Sequence, residues 1–222
     1  MKTIALDIRD KVLFFDFDGT LVETESLAQE VIKNYFLNKN PGYEAPSEFI
    51  IGRTWQAAVF AIETHAKEHG IKVASADELL KAFKDGYQAR LVQGVNLIPG
   101  IIETLEKIRT QAKFMGIVTG SDHEEVKTIL KYQQLGGYFS RIWAYGDYEL
   151  SKPDPSPYLT ALRDLNVKAC DAIVFEDSKA GMESAHRAGI VFVQIAHEAH
   201  AKDLDPRALC TVQNWNELNL RS

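Results

Sequence analysis

Between residues 12 and 15 the chain is apolar at every position, Val12-Leu13-Phe14-Phe15, and it then runs into Asp16-Phe17-Asp18-Gly19-Thr20. An unbroken apolar run of that length predicts a strand buried on both faces, near the centre of a sheet. Residues 4–8 predict a second short strand just before it. From residue 22 to residue 93 the pattern becomes helical, with helices predicted over 25–37, 54–69 and 76–91. The second stops before Gly70, and the third opens on the Ser75-to-Glu78 spacing of a capping box. Asn38-Lys39-Asn40-Pro41-Gly42 reads as a loop and Ser47–Ile51 as a further short helix. After Pro99-Gly100 the two periods alternate. A helix over 101–110 precedes a strand over 114–118, and Ser121 to Glu124 then reads as the capping box of a helix ending near Gly136-Gly137. Strands over 141–145, 172–175 and 190–194 alternate with helices near 155–165 and 179–188. This predicts an α/β fold, a mostly parallel sheet flanked by helices, carrying an inserted helical layer without strands of its own. The polar tail containing Trp215 and Leu218 is expected to close the core.

With 222 residues and 45% hydrophobic content, the chain can bury a large core plus a smaller insert. Its 25 basic and 31 acidic residues give a formal charge of -6, and no basic block resembles a nucleic-acid footprint, although a focused positive pocket for a small anion remains open. Cys170 and Cys210 are far apart and lack metal-ligand spacing. Charged residues interrupt the first ten positions, and no apolar run approaches membrane length. The expectation is a reduced cytoplasmic protein, a monomer or at most a weak dimer, with no nucleic-acid or membrane partner.

Candidate chemistry sits where the predicted strands end, which is where open parallel sheets bind ligands. Asp16 and Asp18 are two apart, so in extended chain both side chains point the same way with backbones about 6–7 Å apart. Thr119-Gly120-Ser121 places hydroxyls and a flexible turn before a helix whose free N–H groups suit a phosphate. Lys152 before Pro153 offers a compact positive charge, and Glu176-Asp177 could complete an oxygen-rich Mg2+ site with Asp16. Each group also has a plain structural use: an Asp-Gly turn, helix capping, a solvated lysine, a strand-ending turn.

Together these residues resemble the haloacid dehalogenase-like hydrolase superfamily, in its branch of small phosphatases and beta-phosphoglucomutase-like proteins. Asp16-Phe17-Asp18-Gly19-Thr20-Leu21 is similar to the family's opening DxDGTL motif, Thr119-Gly120-Ser121 to its second motif, Lys152-Pro153-Asp154-Pro155 to its third and Glu176-Asp177-Ser178-Lys179-Ala180-Gly181 to its fourth. The resemblance implies a Rossmann-like catalytic core over 1–21 and 94–222 and a helical cap domain over 22–93. It implies Asp16 as nucleophile, Asp18 as acid and base, Thr119 and Lys152 as phosphate-binding catalytic groups, and Thr20, Gly120 and Ser121 around the substrate. Asp16, Asp18 through its backbone carbonyl, Glu176 and Asp177 would hold Mg2+.

The implied reaction is Mg2+-dependent hydrolysis of a small phosphorylated metabolite, a sugar phosphate for preference, through an aspartyl phosphate. Two alternatives stay open: phosphate transfer of the beta-phosphoglucomutase kind, and a non-catalytic phosphometabolite-binding or interaction protein. Substrate choice is expected in the cap at Gly52-Arg53-Thr54-Trp55, where Arg53 could bind an anionic or sugar group and Trp55 an apolar face, unless they are a surface arginine and a cap-core aromatic. Ala28 stands where mutase-like relatives often carry a histidine, and Arg53 is closer to the glycine than the mutase arginine, which tilts the reading toward hydrolysis.

Overall fold

The structure, a computed structural model, describes residues 5–50, 54–196 and 204–221. Along the chain run β1 (Val12–Phe15), β2 (Val22–Glu23), α1 (Glu25–Lys39), α2 (Trp55–Glu68), α3 (Ala76–Leu91) and β3 (Asn96–Leu97). There follow α4 (Ile101–Ile108), β4 (Phe114–Val118), α5 (His123–Tyr132), β5 (Arg141–Trp143), α6 (Ser156–Leu165), β6 (Ala172–Glu176), α7 (Lys179–Arg187), β7 (Val191–Ile195) and β8 (Thr211–Val212). They divide into two compact units, Met1–Glu23 with Asn96–Ser222, and Thr24–Val95.

The first unit is an α/β Rossmann-like layer built on a six-stranded sheet of order β5-β4-β1-β6-β7-β8. Every neighbouring pair in it is parallel. As the apolar run predicts, β1 is buried at all four positions and lies between β4 and β6. Its alternate residues enter opposite layers. Val12 and Phe14 pack with Val118, Trp143, Tyr158, Val174 and Phe192. Phe15 instead stacks on Phe175 at 4.9 Å between ring centroids and lies 5.8 Å from Trp215. Each such ring removed from water contributes roughly 1.5–3 kcal/mol, which anchors β1 firmly as a place from which to hang a side chain. The chain moves outward from β1 to β4 and β5, then crosses back to β6, β7 and β8. The carboxyl ends of β1, β4 and β6 therefore meet at the reversal of strand order, where the helix connections splay apart and leave room for a ligand.

Four local expectations need correction. Among the described residues of the 4–8 segment no strand forms; Leu6 makes a single bridge to Leu220 in the tail. A turn at Lys11, whose amide reaches Ile8 at 3.1 Å, and Asp10 at φ 58 separate that piece from the sheet. The cap of α5 is Asp122 rather than Ser121: its side chain accepts from the Glu125 amide at 3.0 Å, one residue later than the predicted box. The same helix stops at Tyr132, before Gln134 at φ 57. β5 ends at Trp143 because the Ala144 amide turns to the Asp147 carboxylate at 2.9 Å instead of a strand partner.

The second unit holds α1, α2 and α3, with a 3-10 helix at Ser47–Phe49 among the described residues of the helix expected over 47–51, whose last residue lies outside them. Its core is Ile32, Phe36, Val59, Ile62, Leu79 and Phe83, spaced three or four apart on each helix. The capping spacing ahead of α3 is used: the Glu78 carboxylate accepts from Ser75 N at 3.1 Å and Ser75 Oγ at 2.8 Å. Among the described residues no helix is long and apolar enough to cross a membrane.

Candidate active site

The end of β1 delivers Asp16 while still in the ladder, its amide bonded to the Phe175 carbonyl at 2.9 Å. Lys152, from the loop between β5 and α6, reaches over it. An ammonium has three protons, and here all three have acceptors: Asp16 Oδ1 at 2.6 Å, Glu176 Oε1 at 2.5 Å and the Val118 carbonyl at 3.0 Å. One side chain thus ties together the ends of β1, β4 and β6. Glu176, fully buried at 0% exposure, is held on both oxygens. Oε1 also accepts from the Tyr158 phenol at 3.1 Å, while Oε2 accepts from the amides of Asp177 and Ser178 at 3.1 and 3.2 Å and from Ser178 Oγ at 3.2 Å.

Two residues on, Asp18 Oδ2 accepts from Ser121 Oγ at 2.6 Å and from Thr119 Oγ1 at 3.4 Å. The shifted cap of α5 explains this: with Asp122 serving the helix, the Ser121 hydroxyl is left for Asp18. Thr20 Oγ1 donates to Asp177 Oδ1 at 3.2 Å, fixing the fourth motif to the first. Gly19 makes that approach feasible. Its φ is +79, and a Cβ there would lie 2.2 Å from Asp177 Oδ2.

The electrostatics are unbalanced toward negative charge. Burial, and next the charge of Glu176, push the Asp16 carboxyl well above the usual carboxylate range, against the pull of Lys152. Burial alone would lower Lys152, but Asp16 and Glu176 reverse that and hold its ammonium well above the ordinary lysine value. A second cation on the Asp16 side would relieve the imbalance. Oxygens of Asp16, Glu176 and Asp177 lie within 4.8 Å of one another, a hard all-oxygen set that could hold a divalent ion.

The family model for haloacid dehalogenase-like hydrolases matches residues 13–195, spanning all four strand-end motifs. The chain belongs to that family. Among its curated relatives is protein CbbY of Rhodobacter capsulatus, 29% identical over 189 residues, which cover 81% of this chain and 82% of that protein. A phosphorylated carbohydrates phosphatase of Thermotoga maritima is 28% identical over 186 residues, 81% of this chain and 82% of the relative. The crystal structure of CbbY from Rhodobacter sphaeroides, solved with phosphate, superposes with a TM-score of 0.76 at 20% identity, covering 95% and 99% of the two chains, which is a likeness of fold.

Within this haloacid dehalogenase-like frame the residues expected from the motifs fall into two hydrogen-bonded groups, Asp16, Lys152, Glu176, Asp177 and Thr20 in one and Asp18, Thr119 and Ser121 in the other, with Gly120 between the two hydroxyl residues. Arg53 lies outside the described residues. Trp55 packs in the second unit, edge-on to Tyr87 at 5.1 Å and tilted against Phe83 at 6.4 Å.

Three residues bonded to these groups escape a reading of the sequence. Tyr158 looks like a core aromatic of α6, Ser178 like a turn residue, and Tyr148 sits in a loop without pattern. Only the polar tips of the two tyrosines, each aimed at a strand end, betray them. Tyr148 donates to the Thr119 carbonyl at 2.7 Å, and burial pushes its phenol up to about 12, so it stays a donor. The tail, too, does more than close the core: Trp215 Nε1 donates to the Thr20 carbonyl at 2.8 Å, bracing the first-motif loop. Removing the Tyr148 hydroxyl costs one neutral hydrogen bond, so Tyr148→Phe is expected to raise KM for a phosphomonoester about 2- to 10-fold with kcat little changed. Steady-state kinetics with an unaltered KM would remove Tyr148 from the site.

Proposed function

We propose that this chain is a Mg2+-dependent phosphatase of small phosphomonoesters, sugar phosphates in particular, that works through an aspartyl phosphate on Asp16. One observation carries the reading: a buried carboxylate at the end of the central strand is paired with a lysine whose side chain is only 10% exposed, with a second carboxylate two residues on. In this mechanism Lys152 offsets the repulsion between Asp16 and the phosphoryl group. Asp16 Oδ attacks phosphorus in line as the ester P–O bond breaks, and Asp18 gives its proton to the departing alkoxide. Asp18 then takes a proton from water, whose oxygen bonds phosphorus as the Asp16 O–P bond breaks. The net products are an alcohol and inorganic phosphate.

The hydroxyls of Thr119 and Ser121, with the Gly120 backbone, would receive phosphate oxygens, and Thr20 would steady the Asp18 loop. Asp16, Asp177 and the Asp18 carbonyl would hold Mg2+, with Glu176 adding charge and anchoring Lys152. Bound there, the ion neutralises phosphate charge that Lys152 alone leaves unmatched. Residues 22–93 would act as the substrate-selecting cap through Arg53 and Trp55. The preference for sugar phosphates draws on the Thermotoga maritima relative's named activity.

A panel of phosphorylated sugars, assayed for phosphate release and for isomerisation with Mg2+ or with a chelator, decides the matter. Phosphate release that needs Mg2+ is the expected result. Isomerisation without release would make the chain a mutase, and binding without turnover would make it a phosphometabolite-binding protein.

A further inference from the structure

The last turn of α2 carries His65 and, at its C-cap, His69, four apart and therefore on one helix face. Their ring centroids are 4.1 Å apart. The nitrogens nearer the backbone are both engaged: His69 Nδ1 bonds the His65 carbonyl at 2.8 Å, and His65 Nδ1 bonds the Tyr43 phenol oxygen at 3.2 Å.

The partner of His69 sets its tautomer, and that of His65 permits either. A carbonyl only accepts, so His69 carries its proton on Nδ1 and keeps an Nε2 lone pair. Tyr43 has one proton and two partners, His65 Nδ1 at 3.2 Å and the Ile62 carbonyl at 3.4 Å; an ion at His65 Nε2 would select the arrangement in which Tyr43 donates to Ile62 and accepts from His65 Nδ1. Burial raises the Tyr43 phenol, which therefore remains protonated at neutral pH. In that arrangement His65 also presents Nε2 as a lone pair. Two nitrogens that share one ion at bonds of about 2.0–2.1 Å lie at most about 4 Å apart, a span that two rings with centroids 4.1 Å apart and planes inclined at 37° can reach by a rotation of the exposed His69 ring. His69 is exposed and His65 half-buried, so an ion can enter from solvent and complete its shell with water.

We propose that His65 and His69 form a binding site for an imidazole-preferring transition-metal ion, Zn2+ in the first instance, with Tyr43 as the outer partner that fixes the His65 ring. None of these residues belongs to the Asp16 network, and the ligands are nitrogens rather than the hard oxygens that suit Mg2+. Two side chains from one helix turn would be clamped together, so the ion would act as a staple on the end of α2 and stabilise the helical unit.

The full chain, with Mg2+ present in excess to occupy the acidic site, should be titrated with Zn2+ in a calorimeter, and its thermal midpoint followed with and without Zn2+. His65→Ala and His69→Ala are each expected to weaken the tightest Zn2+ binding at least 10-fold and to abolish the Zn2+-induced rise in midpoint. Tyr43→Phe keeps both ligands and the packed ring but loses the anchor, and is expected to weaken binding about 10-fold. Unchanged binding in both alanine variants overturns the site. Full affinity in Tyr43→Phe overturns the role of Tyr43. Phosphate release should be unaltered by all three substitutions, so a failure of the proposed phosphatase activity leaves this result readable.

Discussion

Asp16→Asn is expected to lower phosphate release by at least about 10³-fold while the protein stays folded. The amide keeps the shape of the side chain but cannot attack phosphorus, and it withdraws one charge from the oxygen set. Stability should not suffer. The carboxylate is held between an attractive Lys152 and a repulsive Glu176 in a buried place, and Lys152 keeps Glu176 and the Val118 carbonyl as partners after the change. Losing an ion pair whose desolvation already opposes its attraction is close to neutral when the remaining charge stays paired. A thermal midpoint within a few degrees of the parent, together with absent turnover, is the anticipated pair of measurements. Near-parental turnover in the purified variant would falsify the assignment of Asp16 as nucleophile. Asp18→Asn should also lose turnover yet hold Mg2+ more tightly than Asp16→Asn, because the proposed contribution of Asp18 to the ion is its backbone carbonyl. Equal losses of Mg2+ affinity in calorimetry would contradict that division.

The parts of this fold that sequence reading captures are those where one physical cause dominates. β1, β4 and β6 are fully or nearly continuous apolar runs, because strands covered on both faces have no solvent side to mark with polar residues. The helices of the second unit follow from their spacing, with α3 starting and ending where the pattern places it. Motif residues are legible because chemistry concentrates at strand ends, and Asp16, Lys152 and Glu176 do meet there.

What escapes is decided by tertiary contact. Nothing local says that Asp122 rather than Ser121 caps α5; the Asp18 carboxylate, 103 positions earlier in the chain than Ser121, claims that hydroxyl. Nothing local distinguishes Tyr158 from any other buried aromatic, since its phenol matters only once Glu176 is beside it. β8 is two residues long and is defined by its pairing with β7, so no periodicity can announce it. Trp215 reads as core from its size, and its indole N–H on the Thr20 carbonyl joins residues 195 apart.

Gly181→Ala is expected to destabilise the protein by about 2–4 kcal/mol, opposite in sign to the usual effect of that exchange in a helix. Gly181 lies inside α7 without a positive φ, so helix propensity alone favours alanine by about 1 kcal/mol. The space, however, is filled. A Cβ at this position would stand 1.7 Å from Glu176 Oε1 and 2.2 Å from Oε2. A carboxylate at the tip of a flexible side chain can often move aside, but this one is bonded to Lys152, Tyr158, Ser178 and the Asp177 amide and has no exposed surface. Moving it loosens a buried ion pair, whose rupture typically costs about 3–5 kcal/mol, and overpacking adds about 1–3 kcal/mol where the backbone cannot yield entirely. Partial relaxation of α7 and the helix-propensity gain bring the net back to the stated range. At about 2–4 °C per kcal/mol for a chain of this size, the thermal midpoint should fall by roughly 5–15 °C. Phosphate release should fall with it, because Lys152 and Asp177 are both positioned through Glu176. Gly137→Ala is the matched control, with no atom within 4 Å of the added methyl and no positive φ. If Gly181→Ala were as stable as that control and fully active, Glu176 would not be the fixed post on which Lys152 is hung.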